Sequence, residues 1–255
     1  MFRVAIPARF ASTRLAAKVL APIAGRPMIE HVHRLALRSG AAEVVIATDD
    51  ERVRVACTSF GAEVEMTSPS HPSGTDRVAE LARRRGWAGD SIVVNLQADE
   101  PLLPPALIGQ AAGLLAGDAG AYIATLCAPI DSLDAYLDPN VVKVVMRGDG
   151  RALYFSRAPI PWHRDGAPAG LASQREFRGC WRHVGIYAYR VGALLRLAKM
   201  APSPLERLER LEQLRALEAG IAIAVAEAGE IPGPGVDTAA DLAEVARLMA
   251  AARRT

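Results

Sequence analysis

A chain of 255 residues that is 51% hydrophobic and 23% charged is too apolar for disorder, and with 21 glycines and 17 prolines it is no fibre. Its formal charge of +2, from 30 basic and 28 acidic side chains, excludes the polyanion-coating surface of a DNA binder. At roughly 100–200 residues per domain, the length allows one large domain or two small ones, with a core that needs no staples.

In chain order, short β-rich apolar runs alternate with longer amphipathic stretches. Phe2–Ile6 predicts a strand, Met28–Ser39 a helix ended by Gly40, and Glu43–Thr48 a second strand. Glu51–Phe60 predicts a helix ended by Gly61, Glu63–Met66 a short strand, Thr75–Arg85 a helix stopped at Gly86, and Ser91–Leu96 another strand. Pro104–Leu115, Tyr122–Cys127 and Leu133–Leu137 continue the alternation. This pitch predicts an α/β domain on a largely parallel sheet.

The texture changes after about residue 130. Val141–Met146, the turn Gly148-Asp149-Gly150 and Ala152–Ser156 predict a β-hairpin. Ala158–Arg182 is loop-like and rich in proline, arginine and histidine, and Val184–Arg190 predicts a strand. Leu205–Leu217 predicts one helix whose leucine row is core packing or a dimer face. Ile221–Ala226 predicts a strand, and Thr238–Ala250 a helix with Thr238 as N-cap and Asp241 three residues on. The expectation is one domain, 1–255, with a core at about 1–130 and 220–255 and an insertion at about 131–219.

Three cysteines, Cys57, Cys127 and Cys180, lie far apart without CxxC spacing, which argues against disulfides or zinc and fits a reducing cytosol. No apolar run approaches the ~18 residues of a spanning helix, and Met1–Pro7 is too short for a signal-peptide core. A soluble, cytoplasmic protein is expected. Only Lys18, Lys143 and Lys199 break the arginine monopoly on positive charge. No motif gives Lys143 or Lys199 a role. His31 and His33 face different ways on their helix and read as structural.

In an open parallel sheet, ligands bind beyond the carboxyl ends of the strands. The loop after the first strand carries Arg9, Arg14 and Lys18 among small residues, Ala8-Arg9-Phe10-Ala11-Ser12-Thr13-Arg14-Leu15-Ala16-Ala17-Lys18. It is neither a Walker loop nor a GxGxxG turn. Taken alone it is equally well an anion cradle or a solvated loop. The strand Val93–Leu96 runs into Gln97-Ala98-Asp99-Glu100-Pro101, where Asp99 is placed to hold a cation or to cap the helix near Pro104, and Glu100 reads as a cap. Asp237, in Gly233-Pro234-Gly235-Val236-Asp237-Thr238, is a cap or a second ligand.

These motifs, in this order, resemble the sugar-activating nucleotidyltransferases, and among them the 3-deoxy-manno-octulosonate (Kdo) cytidylyltransferase family. The resemblance runs from Val4 to Leu242. It includes Ser73-Gly74-Thr75-Asp76-Arg77, Ala47-Thr48-Asp49, Tyr154-Phe155-Ser156-Arg157, Arg182–Tyr187 and Pro202–Glu206 leading to Leu211–Leu214. Where the family usually has Pro-Gly before the lysine this chain has Ala16-Ala17, and Ala98 replaces a glycine.

The resemblance implies a Rossmann-like nucleotidyltransferase domain with a mixed, mostly parallel sheet flanked by helices, and a β-rich insertion for sugar binding and dimerisation. It implies CTP and Kdo as substrates, Mg²⁺ as cofactor, a homodimer, and CMP-Kdo for lipopolysaccharide. Pro7, Ala8, Arg9, Arg14, Lys18, Ser73, Gly74 and Arg77 are then expected on the nucleotide, with Asp99 and Asp237 as metal pair and Arg9 and Lys18 in catalysis. For the sugar acid, Arg157 and Arg164 suit the carboxylate, and Gln97, His183, Tyr187, Glu212 and Gln213 suit hydroxyls. The rivals are a cytidylyltransferase for sialic acid or 8-amino-Kdo, and a non-catalytic nucleotide-binding regulator.

Overall fold

The first strand, β1 (Phe2–Ala8), is buried from Val4 onward in the computed structural model, which describes residues 1–11, 15–166 and 169–252. Alternate side chains go to opposite faces: Val4, Ile6 and Ala8 join one core cluster and Ala5 the other. A strand covered on both faces reads as an unbroken apolar run. A small ribbon of β2 (Pro22–Ile23) and β3 (Arg26–Pro27) follows, then α1 (Met28–Leu37), β4 (Glu43–Thr48), α2 (Glu51–Ser59) and β5 (Glu63–Met66). Next come α3 (Gly74–Arg84), β6 (Ile92–Asn95), α4 (Pro105–Ala116) and β7 (Ile123–Pro129). The second half adds α5 (Leu133–Leu137), β8 (Lys143–Met146), β9 (Ala152–Ser156), β10 (Trp181–Arg190) and α6 (Val191–Leu197). It ends with α7 (Pro204–Glu209), α8 (Gln213–Glu218), β11 (Ile223–Glu227) and α9 (Ala239–Ala252).

The sheet runs β11-β7-β10-β6-β1-β4-β5, with β8 paired to β10 and β9. β1 is parallel to β4 and β6, β4 to β5, and β7 to β11, while β10 is antiparallel to β6, β7 and β8. This is the mixed, mostly parallel α/β architecture expected. Helices α1, α2 and α4 cover one face of the sheet, and α3, α6 and α8 the other. Residues 131–219 include β10, so that stretch reaches the middle of the sheet. Among the described residues no helix is long and apolar enough to cross a membrane.

Two elements escape the hydrophobic pattern: the Pro22–Pro27 ribbon and α6. The expected Leu205–Leu217 helix is two helices, because Arg210 turns left-handed at φ 55°. The break lets Glu209 fold back, accepting from Ser156 Oγ at 2.6 Å and Arg157 N at 2.9 Å. Leu211 and Leu214 then enter the core while Leu208 stays 80% exposed. His31 bonds the Ile23 carbonyl at 2.8 Å and His33 packs on Phe60, both structural as expected. Lys143 is fully buried and ties the turn before β8, donating to the carbonyls of Asp138 at 2.8 Å and Val141 at 2.6 Å.

β10 bulges against β7 between Val184 and Tyr187. Thr125 Oγ1 fills the bulge, lying 2.6 Å from the Ile186 carbonyl and 2.8 Å from His183 Nε2. The hydroxyl has one proton and gives it to a carbonyl, so His183 Nε2–H donates to Thr125 and the ring is neutral. Burial pushes the His183 pKa down to about 3. Between about pH 6.5 and 3 the unfolded chain therefore binds a proton that the folded chain refuses, and stability must fall on acidification, by at most about 1.4 kcal/mol per pH unit for one such group. Urea unfolding of His183→Gln is expected to lose less stability from pH 7 to 5 than the parent; identical slopes would contradict it.

Candidate active site

Beyond the carboxyl ends of β1 and β6 lies a cleft of about 360 Å³. Pro7 lines it from the end of β1, Arg9 and Lys18 from the first loop, Ser73, Gly74 and Arg77 from the cap and first turn of α3, and Gln97, Asp99 and Asp237 from the turns opposite. The expected nucleotide and metal residues thus converge. Ala8 lies beneath, fully buried in β1, and Arg14 falls outside the described residues.

At its centre Lys18 Nζ donates to Asp99 Oδ2 at 2.5 Å, the Val236 carbonyl at 2.9 Å and Asp237 Oδ1 at 3.1 Å. Burial works against this ammonium, but the charges and hydrogen bonds of both carboxylates outweigh it and hold its pKa above the ordinary lysine value. Ala17, just before it, is left-handed at φ 52°. That is the conformation a glycine would adopt freely, and an alanine accepts it at about 1 kcal/mol.

Glycines bring the two acids together. A Cβ on Gly233 would stand 2.7 Å from Leu102 Cβ, and one on Gly235 3.0 Å from Glu100 Oε1, so residues 233–237 lie directly on the turn after β6. The Val236 amide donates to the Asp99 carbonyl at 2.9 Å, which fixes Asp237 beside Asp99. Thr238 caps α9 as expected: its hydroxyl accepts from the Asp241 amide at 3.2 Å while Asp241 accepts from the Thr238 amide at 2.8 Å. Glu100 departs from expectation. α4 starts behind Pro104 with no side-chain cap, and Glu100 lies under Gly235 instead. Burial, then the like charges of Asp99 and Asp237, raise its pKa to about 8.

On the α3 side, Ser73 caps the helix, accepting from the Asp76 amide at 3.1 Å. Gly74 is needed for closeness, since a Cβ there would meet Pro7 Cγ at 3.1 Å. Arg77 reaches the wall, but its guanidinium is engaged by Asp49 at 2.6 Å and Thr67 at 2.5 Å. Asp50, not Asp49, caps α2.

The expected sugar residues divide. Gln97 lines the cleft, its Nε2 donating to Asn95 Oδ1 at 3.3 Å. Glu212 borders it, accepting from Ser73 Oγ at 3.1 Å and Thr75 Oγ1 at 2.7 Å; burial raises its pKa despite those bonds. Behind Glu212, Tyr187 stacks on Tyr189 and tilts against His183, and its buried hydroxyl has no partner among the described residues. Gln213 is buried at the start of α8. Arg157 is turned elsewhere, donating to the carbonyls of Glu209 at 2.7 Å and Pro139 at 2.9 Å, and the exposed Arg164 does not line the cleft. His71 and Pro72 do line it and were not anticipated; the only signal was their position before Ser73-Gly74. His71 is paired with Glu80.

Among the described residues no group of three or more His, Cys, Asp or Glu side chains is set to hold a metal ion. Two hard carboxylates gathered around one positive charge do suit Mg²⁺, which keeps waters and is bound through one or two carboxylates plus substrate phosphates.

Residues 4–223 match the family model described as cytidylyltransferase. A 3-deoxy-manno-octulosonate cytidylyltransferase of Thioalkalivibrio sulfidiphilus is 53% identical over 250 residues, covering 98% of this chain and 99% of that one. One of Marinobacter nauticus is 54% identical over 252 residues, covering 97% of each chain. A solved structure of CMP:2-keto-3-deoxy-manno-octonic acid synthetase complexed with CTP superposes with a TM-score of 0.87 at 42% identity, over 98% of this chain and 99% of that one. The fold, the cleft and these relatives agree, and the chain belongs to the cytidylyltransferase family, among the 3-deoxy-manno-octulosonate cytidylyltransferases.

Proposed function

We propose that this protein transfers the cytidylyl group of CTP to Kdo, giving CMP-Kdo and diphosphate. The observation that carries the reading is the pairing of Asp99 and Asp237 around Lys18 at the bottom of a cleft open beyond β1 and β6. The anomeric hydroxyl of the sugar attacks the α-phosphorus in line, the bond to the bridging oxygen of the β-phosphate breaks, diphosphate leaves, and the hydroxyl proton goes to solvent. No covalent enzyme intermediate is required. Arg9, with Lys18, binds the triphosphate and neutralises the departing diphosphate. Asp99 and Asp237 would hold Mg²⁺ with triphosphate oxygens, and the ion would polarise the α-phosphate.

Ser73 and Gly74 present the start of α3 to the nucleotide. Gln97, Glu212 and the unpartnered hydroxyl of Tyr187 offer donors and acceptors for sugar hydroxyls, with His183 behind them. A buried polar group without a partner calls for one, and a polyhydroxylated ligand supplies it. The product is an activated Kdo for lipopolysaccharide assembly. Three buried free cysteines favour a reducing, cytoplasmic setting.

A homodimer is part of this reading. The apolar run Ile186–Tyr189 offers no dimer surface, because it is interior to the sheet, where Ile186 and Tyr189 are 2% and 4% exposed. Among the described residues between 131 and 219, Leu153, Trp162, Leu171 and Leu208 are the exposed large apolar side chains, and they support a dimer face there. Light scattering at micromolar concentration is expected to give twice the chain mass; a monomer mass overturns the dimer.

The direct test of function is diphosphate release with CTP and each of Kdo, 8-amino-Kdo and sialic acid, then with ATP and GTP in place of CTP. CTP with Kdo is expected to be clearly preferred; equal rates with all nucleotides, or preference for another acid, would sink the assignment.

Asp99→Asn and Asp237→Asn are each expected to lower turnover at least about a hundredfold, about 2.7 kcal/mol of barrier. The double variant should be little worse than the poorer single, because the two acids work as a unit. Glu100→Gln keeps the size of a side chain that lies under Gly235, and its effect should be mild. Near-normal Mg²⁺-dependent turnover in Asp237→Asn would break the proposed pair.

A further inference from the structure

Lys18 has two claims on it. In the proposed reaction its ammonium belongs on the triphosphate. In this structure it lies between Asp99 and Asp237, 2.5 and 3.1 Å from their oxygens, with the Val236 carbonyl as third acceptor at 2.9 Å. An ammonium makes three donations, and all three are made here, so none remains for a ligand. The lysine side chain is only 13% exposed, against 31% and 50% for the two acids. Lys18 is therefore the inner member of the cluster, on the spot toward which both carboxylates point. A divalent cation bound to both carboxylates would need that same spot, and two positive charges cannot share it.

We infer that Lys18 is a built-in stand-in for the divalent cation, which keeps the Asp99–Asp237 pair assembled and weakens cation binding until nucleotide gives its ammonium another anion. The inference rests on the reading of Asp99 and Asp237 as the cation pair. Its logic is an exchange of partners. Without Lys18, two carboxylates would face each other with less counter-charge, and the Gly233–Asp237 segment would lose two of the contacts that hold it to the first loop. With Lys18 in place, a free cation has to displace a bound charge, so its affinity for the empty enzyme is low. Triphosphate oxygens remove that penalty, because they accept the released ammonium and complete the cation's shell at once. Cation and nucleotide consequently bind with positive coupling, and a chelatable ion occupies the site only weakly ahead of substrate.

The test is Mn²⁺ binding to nucleotide-free protein, read from the electron paramagnetic signal of the free ion. Lys18→Met keeps the length of the side chain and removes its charge. It is expected to bind Mn²⁺ at least about tenfold more tightly than the parent, since the ion no longer competes with a bound ammonium. Equal affinity in the two proteins overturns the stand-in role while leaving the site reading intact. The double variant Lys18→Met/Asp237→Asn should lose the gain; if it keeps the gain, the ion is not held by the pair and the site reading itself fails.

A second measurement uses the unmodified chain. Its three lysines can be followed separately by mass spectrometry during reductive methylation. Without cation, Lys18 is expected to react more slowly than exposed Lys199, by about tenfold or more, because its nitrogen is hydrogen-bonded and partly buried. Saturating Mn²⁺ alone should speed Lys18 and leave Lys199 unchanged. No change at Lys18 while Mn²⁺ is demonstrably bound overturns the inference.

Discussion

Two carboxylates drawn from distant parts of a chain repel each other, and in this protein one ammonium holds them together. Lys18 joins the loop after β1, the turn after β6 and the segment before α9, three pieces separated by 81 and 219 positions in sequence. The rest of the structure serves that meeting. The parallel strands β1 and β6 deliver two of the pieces to the same end of the sheet, as parallel neighbours must. Gly233 and Gly235 remove the side chains that would keep the third piece away, and the Val236 amide locks it to the Asp99 carbonyl. α9 then starts immediately afterwards, with Thr238 and Asp241 capping each other.

Much of the fold was legible because its signals are local. Short apolar runs mark the strands, and amphipathic stretches ended by Gly40, Gly61 or Gly86 mark the helices, with all three of those glycines at positive φ where the chain turns. The α7–α8 break was not legible. Leucines at 205, 208, 211, 214 and 217 fit a single amphipathic helix, and only the distant pull of Ser156 and the Arg157 amide on Glu209 divides it. That is tertiary structure overriding a local period, and no window around Arg210 contains it.

The site was legible in its cast and less so in its casting. Lys18, Asp99 and Asp237 were each identified, but their bonding to one another joins residues that no sequence spacing relates. Glu100 looked like a cap because it precedes a helix, whereas its surroundings are set by Gly235, far along the chain. Arg157 looked like a ligand for a carboxylate because arginine forks suit one; the fold instead directs that fork at two backbone carbonyls. Glu212 shows the opposite outcome. On an amphipathic pattern it reads as solvated, yet Ser73 and Thr75 anchor it at the edge of the cleft.

Lys143, described above as the brace of a buried turn, explains something about the whole chain. A composition that writes nearly every positive charge as arginine looks like genome bias, and genome bias should be blind to position. Yet Lys143 and Lys18 are both enclosed by oxygens: Lys143 by two carbonyls at 2.6 and 2.8 Å, Lys18 by a carbonyl and two carboxylates. A guanidinium is a flat fork with five donors, too broad to be wrapped by acceptors converging on a point, while an ammonium is a compact centre that offers three. At these two of the three lysine positions the required shape is a small sphere of charge instead of a plane, whereas Lys199 lies exposed.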